Sequence, residues 1–471
     1  MTTQCTPEQM EFQALGGRKV QGAFDGGHIS SDGGALLLRE ADVRLGITER
    51  LAACFTDCRH PDYVEHSVLA LLRQRVFGLA LGYEDLNDHD ELAWDPLLAV
   101  AVGKSDPAGL DRRREQDRGR PLASHCTLNR LELTPEKLNP KNRYWKIIHH
   151  PERFEEAFVQ WFLDAFAEAP KEIVLDFDAT DDPVHGEQEG RFFHGYYGNY
   201  CYLPLYVFCG EHLLVAKLRT ADRDASDGSA EVLDFLVQRI RQRWPDVRII
   251  VRGDSGFARD NLMTWCEGHH VYYLFGLAKN SRLLQKIGKE LVEARSLFDA
   301  TQQASRVFTH FQWSTKKSWT RPRRVIAKAE HLAKGANPRF IVTNLDETYA
   351  TPKALYENGY CARGEMENRI KEQQLDLFAD RTSTHTLRAN QLRLWFSSVA
   401  YVLVSSIRRI ALQGTRMAQS TCGSIRLKLF KIGAHIKVSV RRVMIHFASA
   451  CPYRDIFEQA LHNFGVYPLR R

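Results

Sequence analysis

The 471-residue chain lacks the marks of a secreted or membrane-spanning protein. Its opening stretch, MTTQCTPEQMEFQALGG, has no basic segment leading into an apolar one. The longest apolar run, LWFSSVAYVLVSSI (394–407), is too short to cross a bilayer and is interrupted by serines. These absences lead to the expectation of a cytoplasmic protein with no membrane partner. The ten cysteines follow no repeating spacing, which excludes a disulfide framework. One cluster, CFTDCRHPDYVEH, holds Cys54, Cys58, His60 and His66, but the spacing fits no standard zinc finger. Internal repeats and low-complexity tracts are missing too, so solenoid and disordered classes drop out. Acids are scarce in two stretches: residues 386–471 hold only Asp455 and Glu458 among fourteen Lys or Arg, and 301–339 only Glu330 among nine. The net charge is +6, so the part before the +12 tail sums to −6. Two basic regions on an otherwise acidic chain are an electrostatic footprint for a polyanion, most commonly nucleic acid.

What is present is ordinary globular composition, 44% hydrophobic and 26% charged, in a chain long enough for several domains. Residues 1–150 read as mostly helical, with an amphipathic helix near 66–81, and as a DNA-end-binding or dimerisation region. Phe154, Phe158, Trp161, Phe162 and Phe166 recur at helical spacing until Pro170 ends the pattern. The period then changes. KEIVLDFDAT, YCYLPLYVFC, HLLVAKLRT, VRIIVRGD and VYYLFGLA read as strands, with helices at 229–243 and 258–267, so 151–304 is expected to be an α/β layer on a mixed sheet. Residues 305–345 read as an antiparallel β insertion, 346–385 as a return to the core through a charged helix, and 386–471 as a basic C-terminal region.

Asp176 and Asp178 lie two apart on a strand and so share a face, which an apolar strand tolerates only for a reason. Asp254 follows VRIIVRG at a strand-to-helix junction. Carboxyl ends of strands are where open α/β sheets put their ligands. A third carboxylate on a following helix would complete a hard, all-oxygen site suited to Mg²⁺, and two such ions would serve phosphoryl transfer.

That helix is YCARGEMENRIKEQQ. At about 100° per residue, Tyr360, Arg363, Glu367, Lys371 and Gln374 fall within roughly 80° of arc, while Glu365 and Glu372 point away. The face has no large apolar residue, so it is either a solvated, salt-bridged surface or a site.

VLDFDATDDPVHGEQ, FFHGYYGNYCYLPLYVF, RGDSGFARDNLMTWCE, GLAKNSRL and YCARGEMENRIKEQQLDLFADRTS closely resemble DDE transposases of bacterial insertion sequences, the group numbered 1380. HPDYVEHSVLALLRQRVFGLALGYEDLNDHDEL and LKLFKIGAHIKVSVRRV extend the likeness towards both ends. The resemblance implies a ribonuclease H-like catalytic domain with a β-rich insertion. It implies cutting and joining of DNA at terminal inverted repeats and insertion into target DNA, by a homodimer in the DNA complex, in the bacterial nucleoid. It also implies two Mg²⁺ ions, for which Mn²⁺ can substitute. Carried over by residue, it makes Asp178 the first acid, with Asp176 as competitor, Asp254 the second and Glu367 the third. The wider group's Tyr-x2-Arg-x3-Glu-x6-Lys signature lands on Tyr360, Arg363 and Glu367, but on Gln374 where the lysine belongs, so Lys371 is the substitute cation. In the insertion, Trp313 and Trp319 beside Lys316 and Lys317 suit either base stacking or a local core. The rival reading is a domesticated, non-catalytic DNA-binding protein that kept the fold.

Overall fold

Alternating burial organises the larger unit of the protein. The structure, a computed structural model, describes residues 9–138, 142 and 144–466. By contacts the chain divides into Met1–His149 with Val399–Arg471, and His150–Ser398. The second unit holds a nine-stranded mixed sheet. Its strands are β1 (Glu172–Ala179), β2 (Leu205–Cys209), β3 (His212–Lys217), β4 (Arg248–Gly253), β5 (Tyr272–Leu277), β6 (Ser305–Trp313), β7 (Arg323–Leu332) and β8 (Arg339–Thr343), in the order β3-β2-β1-β4-β5-β8-β7-β6, with Gly335–Ala336 paired to β7. β1, β4 and β5 run parallel and the other pairings are antiparallel. The 305–345 segment therefore extends the same sheet at one end of its strand order.

The two faces of this sheet differ. Ile173, Leu175 and Phe177 of β1, Ile249 and Val251 of β4, and Tyr273 and Phe275 of β5 belong to one apolar core. Helices α1 (Pro151–Asp164), α2 (Ser229–Arg243) and α3 (Asp260–Gly268) feed that core with Phe162, Leu236 and Leu262. Each such side chain contributes about 1.5–3 kcal/mol on burial. α1 starts at Pro151, whose missing N–H is no loss in a first turn.

The opposite face carries the intervening residues. Val174, Ile250, Leu274, Ile326 and Ile341 form a smaller apolar cluster with Leu355 and Tyr356. Towards the carboxyl ends of β1 and β4 this face turns polar: Asp176 pairs in register with Arg252, and one step further come Asp178 and Asp254.

The first unit is built around helices Ala35–Leu45, Val68–Leu81 and Pro96–Val102. The N- and C-terminal parts of the chain meet in it, because His28–Ser30 pairs with Ala434–Val438, which pairs with Val443–Phe447. The approach is backbone to backbone: a Cβ on Gly34 would lie 1.8 Å from the Leu429 carbonyl oxygen. The alternating stretch IRLKLFKIGAHIKVSV is helical up to Phe430 and a strand only from Ala434. At the tip of the following hairpin Lys437, Arg441 and Arg442 are exposed, with no ion pair among the described residues.

Candidate active site

Asp178 is the penultimate residue of β1 and Asp254 follows β4, on neighbouring parallel strands. Asp254 caps the turn Ser255–Phe257, its Oδ1 accepting from the Gly256 amide at 2.8 Å. Across the sheet face lies an irregular helical segment: a π turn at Leu355–Tyr360, a 3₁₀ turn at Cys361–Arg363, the helix α4 (Gly364–Lys371) and a second π turn at Glu372–Asp376. Tight and wide turns of this kind cluster at functional sites and reset the direction of side chains.

Arg363 joins the acids. Its guanidinium lies 3.5 Å from Asp178 Oδ1 and donates to Glu367 Oε1 at 2.6 Å. The side chains of Asp178 and Arg363 are each 17% exposed and that of Glu367 45%. Burial pushes the Asp178 carboxyl up to about 7, with Asp254 and Glu367 adding to the rise and Arg363 opposing it. Glu365 is exposed, and its charge adds to the upward shift of Asp176.

Tyr360 reaches the same place. A Cβ on Gly276 of β5 would lie 2.5 Å from the Tyr360 hydroxyl and 2.9 Å from the Ser255 amide nitrogen, so only glycine lets the phenol settle against the residues that follow Asp254. Burial raises the Tyr360 pKa, with Arg363 opposing and Asp254 adding.

Asp176 has a different set of partners. It takes a two-point ion pair from Arg252, whose Nη2 donates at 2.7 Å, and burial raises its carboxyl against that pull. Arg252 also donates to the Gly359 carbonyl, one residue before Tyr360. Removing one partner of such a buried pair typically costs about 3–5 kcal/mol. Arg252 was missed by sequence reasoning, although its place two residues before Asp254 on an apolar strand is a signal for it.

Gln374 sits in the second π turn and faces the protein. Its amide donates to Asp182 Oδ1 at 3.1 Å and to the Asp181 carbonyl at 3.3 Å. Asp182 is fully buried, and burial holds its carboxyl well above the usual range against the pull of the Gln374 amide. Lys371 is exposed and has no ion pair among the described residues.

The two tryptophans lie elsewhere. Trp319 is 8% exposed within the core under α2 and α3, which leaves no ring face for a base. Trp313 packs half-buried against the same core, with the Arg282 guanidinium 4.5 Å over its ring. Both are thus on the sheet face opposite to Asp178, and the small β layer uses its tryptophans as core. Lys316 and Lys317 are exposed in the loop between them.

A family model described as Transposase DDE domain, group 1, matches residues 12–467. The chain belongs to the DDE transposase family. Among curated proteins none matches. Among solved structures the transposase is similar to one described as the piggyBac transposase synaptic complex with hairpin DNA, at 12% identity and a TM-score of 0.41, covering 84% of this chain and 79% of that one.

Transposases of this family generally use divalent metal ions. Asp178, Asp254 and Glu367 are carboxylates, the hard oxygen donors that such an ion prefers. Among the described residues no three His, Cys, Asp or Glu side chains stand close enough together to hold one. The positive charge between Asp178 and Glu367 is the Arg363 guanidinium. The donor chemistry fits a divalent ion.

Proposed function

We propose that this transposase belongs to the bacterial insertion-sequence group numbered 1380, and that the unit His150–Ser398 is its ribonuclease H-like catalytic domain. In this reading it binds the terminal inverted repeats of its element and cuts and joins them to target DNA as a homodimer. The observation that carries the reading is the placement of Asp178 and Asp254 at the carboxyl ends of adjacent parallel strands, with Arg363 of the facing helical segment bridging Asp178 and Glu367.

The residues divide the work. Asp178, Asp254 and Glu367 would hold the divalent ions. When bound, Mg²⁺ supplies Lewis-acid activation of an attacking water or 3′-hydroxyl and charge stabilisation for the leaving oxygen. Arg363 keeps Glu367 turned towards Asp178 until a phosphate offers a better anion for its forked donors. Tyr360, held against the Ser255 turn, fixes the start of the helical segment and offers a hydroxyl to the DNA backbone. Lys371, exposed one turn beyond Glu367, supplies the phosphate contact that Gln374 cannot. Lys316 and Lys317, on the far face, and the basic tail add phosphate contacts that position the duplex.

The test is to incubate the full chain with duplexes carrying the ends of its element, with and without Mg²⁺, and to resolve nicked and joined products. Metal-dependent nicking at a fixed position supports the reading. Tight binding without any cleavage under Mg²⁺ or Mn²⁺ would make this a DNA-binding relative that has lost its chemistry.

A further inference from the structure

The hairpin Phe192–Tyr202 takes no part in holding the acids, yet it grows from the strand that bears Asp178. Past β1 the chain enters the two-residue strand Asp182–Pro183, which pairs with Asn199–Tyr202, which in turn pairs with Phe192–His194. Cys201 and Tyr202 anchor this small sheet in the interior. Four of its other aromatic side chains are exposed: Phe192 is 42% exposed, Phe193 58%, Tyr196 87% and Tyr200 49%. Phe193 and Tyr200 are register partners with ring centroids 5.5 Å apart, and the Arg191 guanidinium stands 4.9 Å over Tyr200. Scattered single apolar residues on a surface need no explanation, but four aromatic rings on one short hairpin do.

The turn of this hairpin is tied to the acid site. The Tyr197 hydroxyl donates to the Ala179 carbonyl, next to Asp178, at 3.4 Å, and the Asn199 amide donates to Asp181 Oδ2 at 3.3 Å. Burial and the negative charge of Asp181, Asp178 and Asp254 push the Tyr197 phenol up to about 12. Tyr196, next in the chain and edge-on to Tyr197 at 5.0 Å, is the ring that stands free. A strand whose phosphate reached the acids would bring its neighbouring bases past this ring. Aromatic faces with polar tips and a guanidinium close by bind nucleobases through stacking, and a base inside a duplex offers no free face.

We propose that the Phe192–Tyr202 hairpin is a stacking platform for an unpaired base of the DNA strand being cut, with Tyr196 and the Phe193–Tyr200 pair as its ring faces. The inference rests on the reading of Asp178, Asp254 and Glu367 as a DNA-processing site. It adds a demand that the acids alone do not make: the substrate must be unpaired beside the scissile phosphate.

Two probes test it with the full chain in EDTA: a thymidine oligonucleotide carrying one iodouracil, and a duplex with iodouracil at the same position, fully paired. Irradiation should cross-link the unpaired probe to Phe193, Tyr196 or Tyr200, and the duplex far less. Tyr196→Ala should weaken binding of the unpaired probe by roughly 5- to 150-fold, the equivalent of about 1–3 kcal/mol per stacked base, while Tyr196→Trp retains it. Tyr196 is nearly free of contacts, so neither change should alter the melting temperature. Unchanged affinity in Tyr196→Ala and in Phe193→Ala with Tyr200→Ala, or cross-links confined to other segments, would overturn the platform. Loss of self-association in those variants, seen by sedimentation with base affinity intact, would overturn it in favour of a contact with a second copy. Nicking and binding read different things. A wild-type protein that cross-links at the hairpin but never nicks DNA defeats the catalytic reading alone, and one that nicks normally without the hairpin defeats the platform alone.

Discussion

Gly276→Ala should damage the site through a single methyl group. The new Cβ would lie 2.5 Å from the Tyr360 hydroxyl, 2.9 Å from the Ser255 nitrogen and 3.2 Å from the Asp254 carbonyl carbon. The phenol can swing aside, but the two backbone atoms belong to the turn that Asp254 caps, so the turn itself must give. Overpacking of this kind costs about 1–3 kcal/mol. The functional loss should exceed what instability explains, because displacing Tyr360 moves the start of the segment that delivers Arg363 and Glu367. Urea denaturation and DNA nicking should be measured on Gly276→Ala, Tyr360→Phe and the double variant. Removing the hydroxyl relieves the nearest clash but not the one with Ser255, so the double variant should recover part of the lost stability. A Gly276→Ala protein as stable and as active as wild type would refute this packing, as would a second substitution whose loss simply adds to the first.

Three further outcomes follow from the same geometry. In EDTA, Asp178 should make stability fall as pH rises from about 4 to about 7, because the folded state prefers the protonated carboxyl and loses that preference once it ionises; the gap between 3.8 and about 7, at about 1.4 kcal/mol per pH unit, is on the order of 4 kcal/mol. Asp178→Asn should therefore melt above wild type at pH 8 and level with it at pH 4, and a pH-independent gap would contradict the burial argument. Gln374→Lys should leave the salt dependence of DNA binding unchanged, because the new ammonium meets buried Asp182, whereas Lys371→Ala should flatten the slope by roughly 0.9 for the phosphate lost; a steeper slope in Gln374→Lys would show the lysine reaching DNA instead. Replacing Lys437, Arg441 and Arg442 together by alanine should flatten that slope by roughly 0.9 per phosphate contact removed, with the melting temperature unchanged, and an unaltered slope would exclude this hairpin from the interface.

The fold was legible where burial alternates. Ile173, Leu175 and Phe177 mark one face of β1, so Asp176 and Asp178 could be placed together on the other face, towards a strand end, from the letters alone. Arg252 was not recognised, since the pairing that makes it the partner of Asp176 joins residues 76 apart in the chain. The same blindness hid the sheet that brings His28–Ser30 to Ala434–Val438, since no local pattern encodes a partner so distant. Trp319 stayed open between stacking and core because lysines precede it in sequence, while its ring is buried. On the charged helix the even turn of about 100° per residue holds from Arg363 to Glu367, which do pair, and fails at Gln374, where the π turn redirects the amide inwards.

Glu365 and Glu367 give the sharpest comparison, because they share a helix while Glu367 pairs with the Arg363 that reaches Asp178 and Glu365 is exposed. Cleavage of an end-bearing duplex in Mg²⁺, and its binding in EDTA, should be compared for Glu367→Gln and Glu365→Gln. Glu367→Gln should abolish cleavage while keeping DNA affinity and melting temperature, and Glu365→Gln should change none of the three. Loss of cleavage in Glu365→Gln with normal cleavage in Glu367→Gln would contradict the assignment of Glu367 as the third acid.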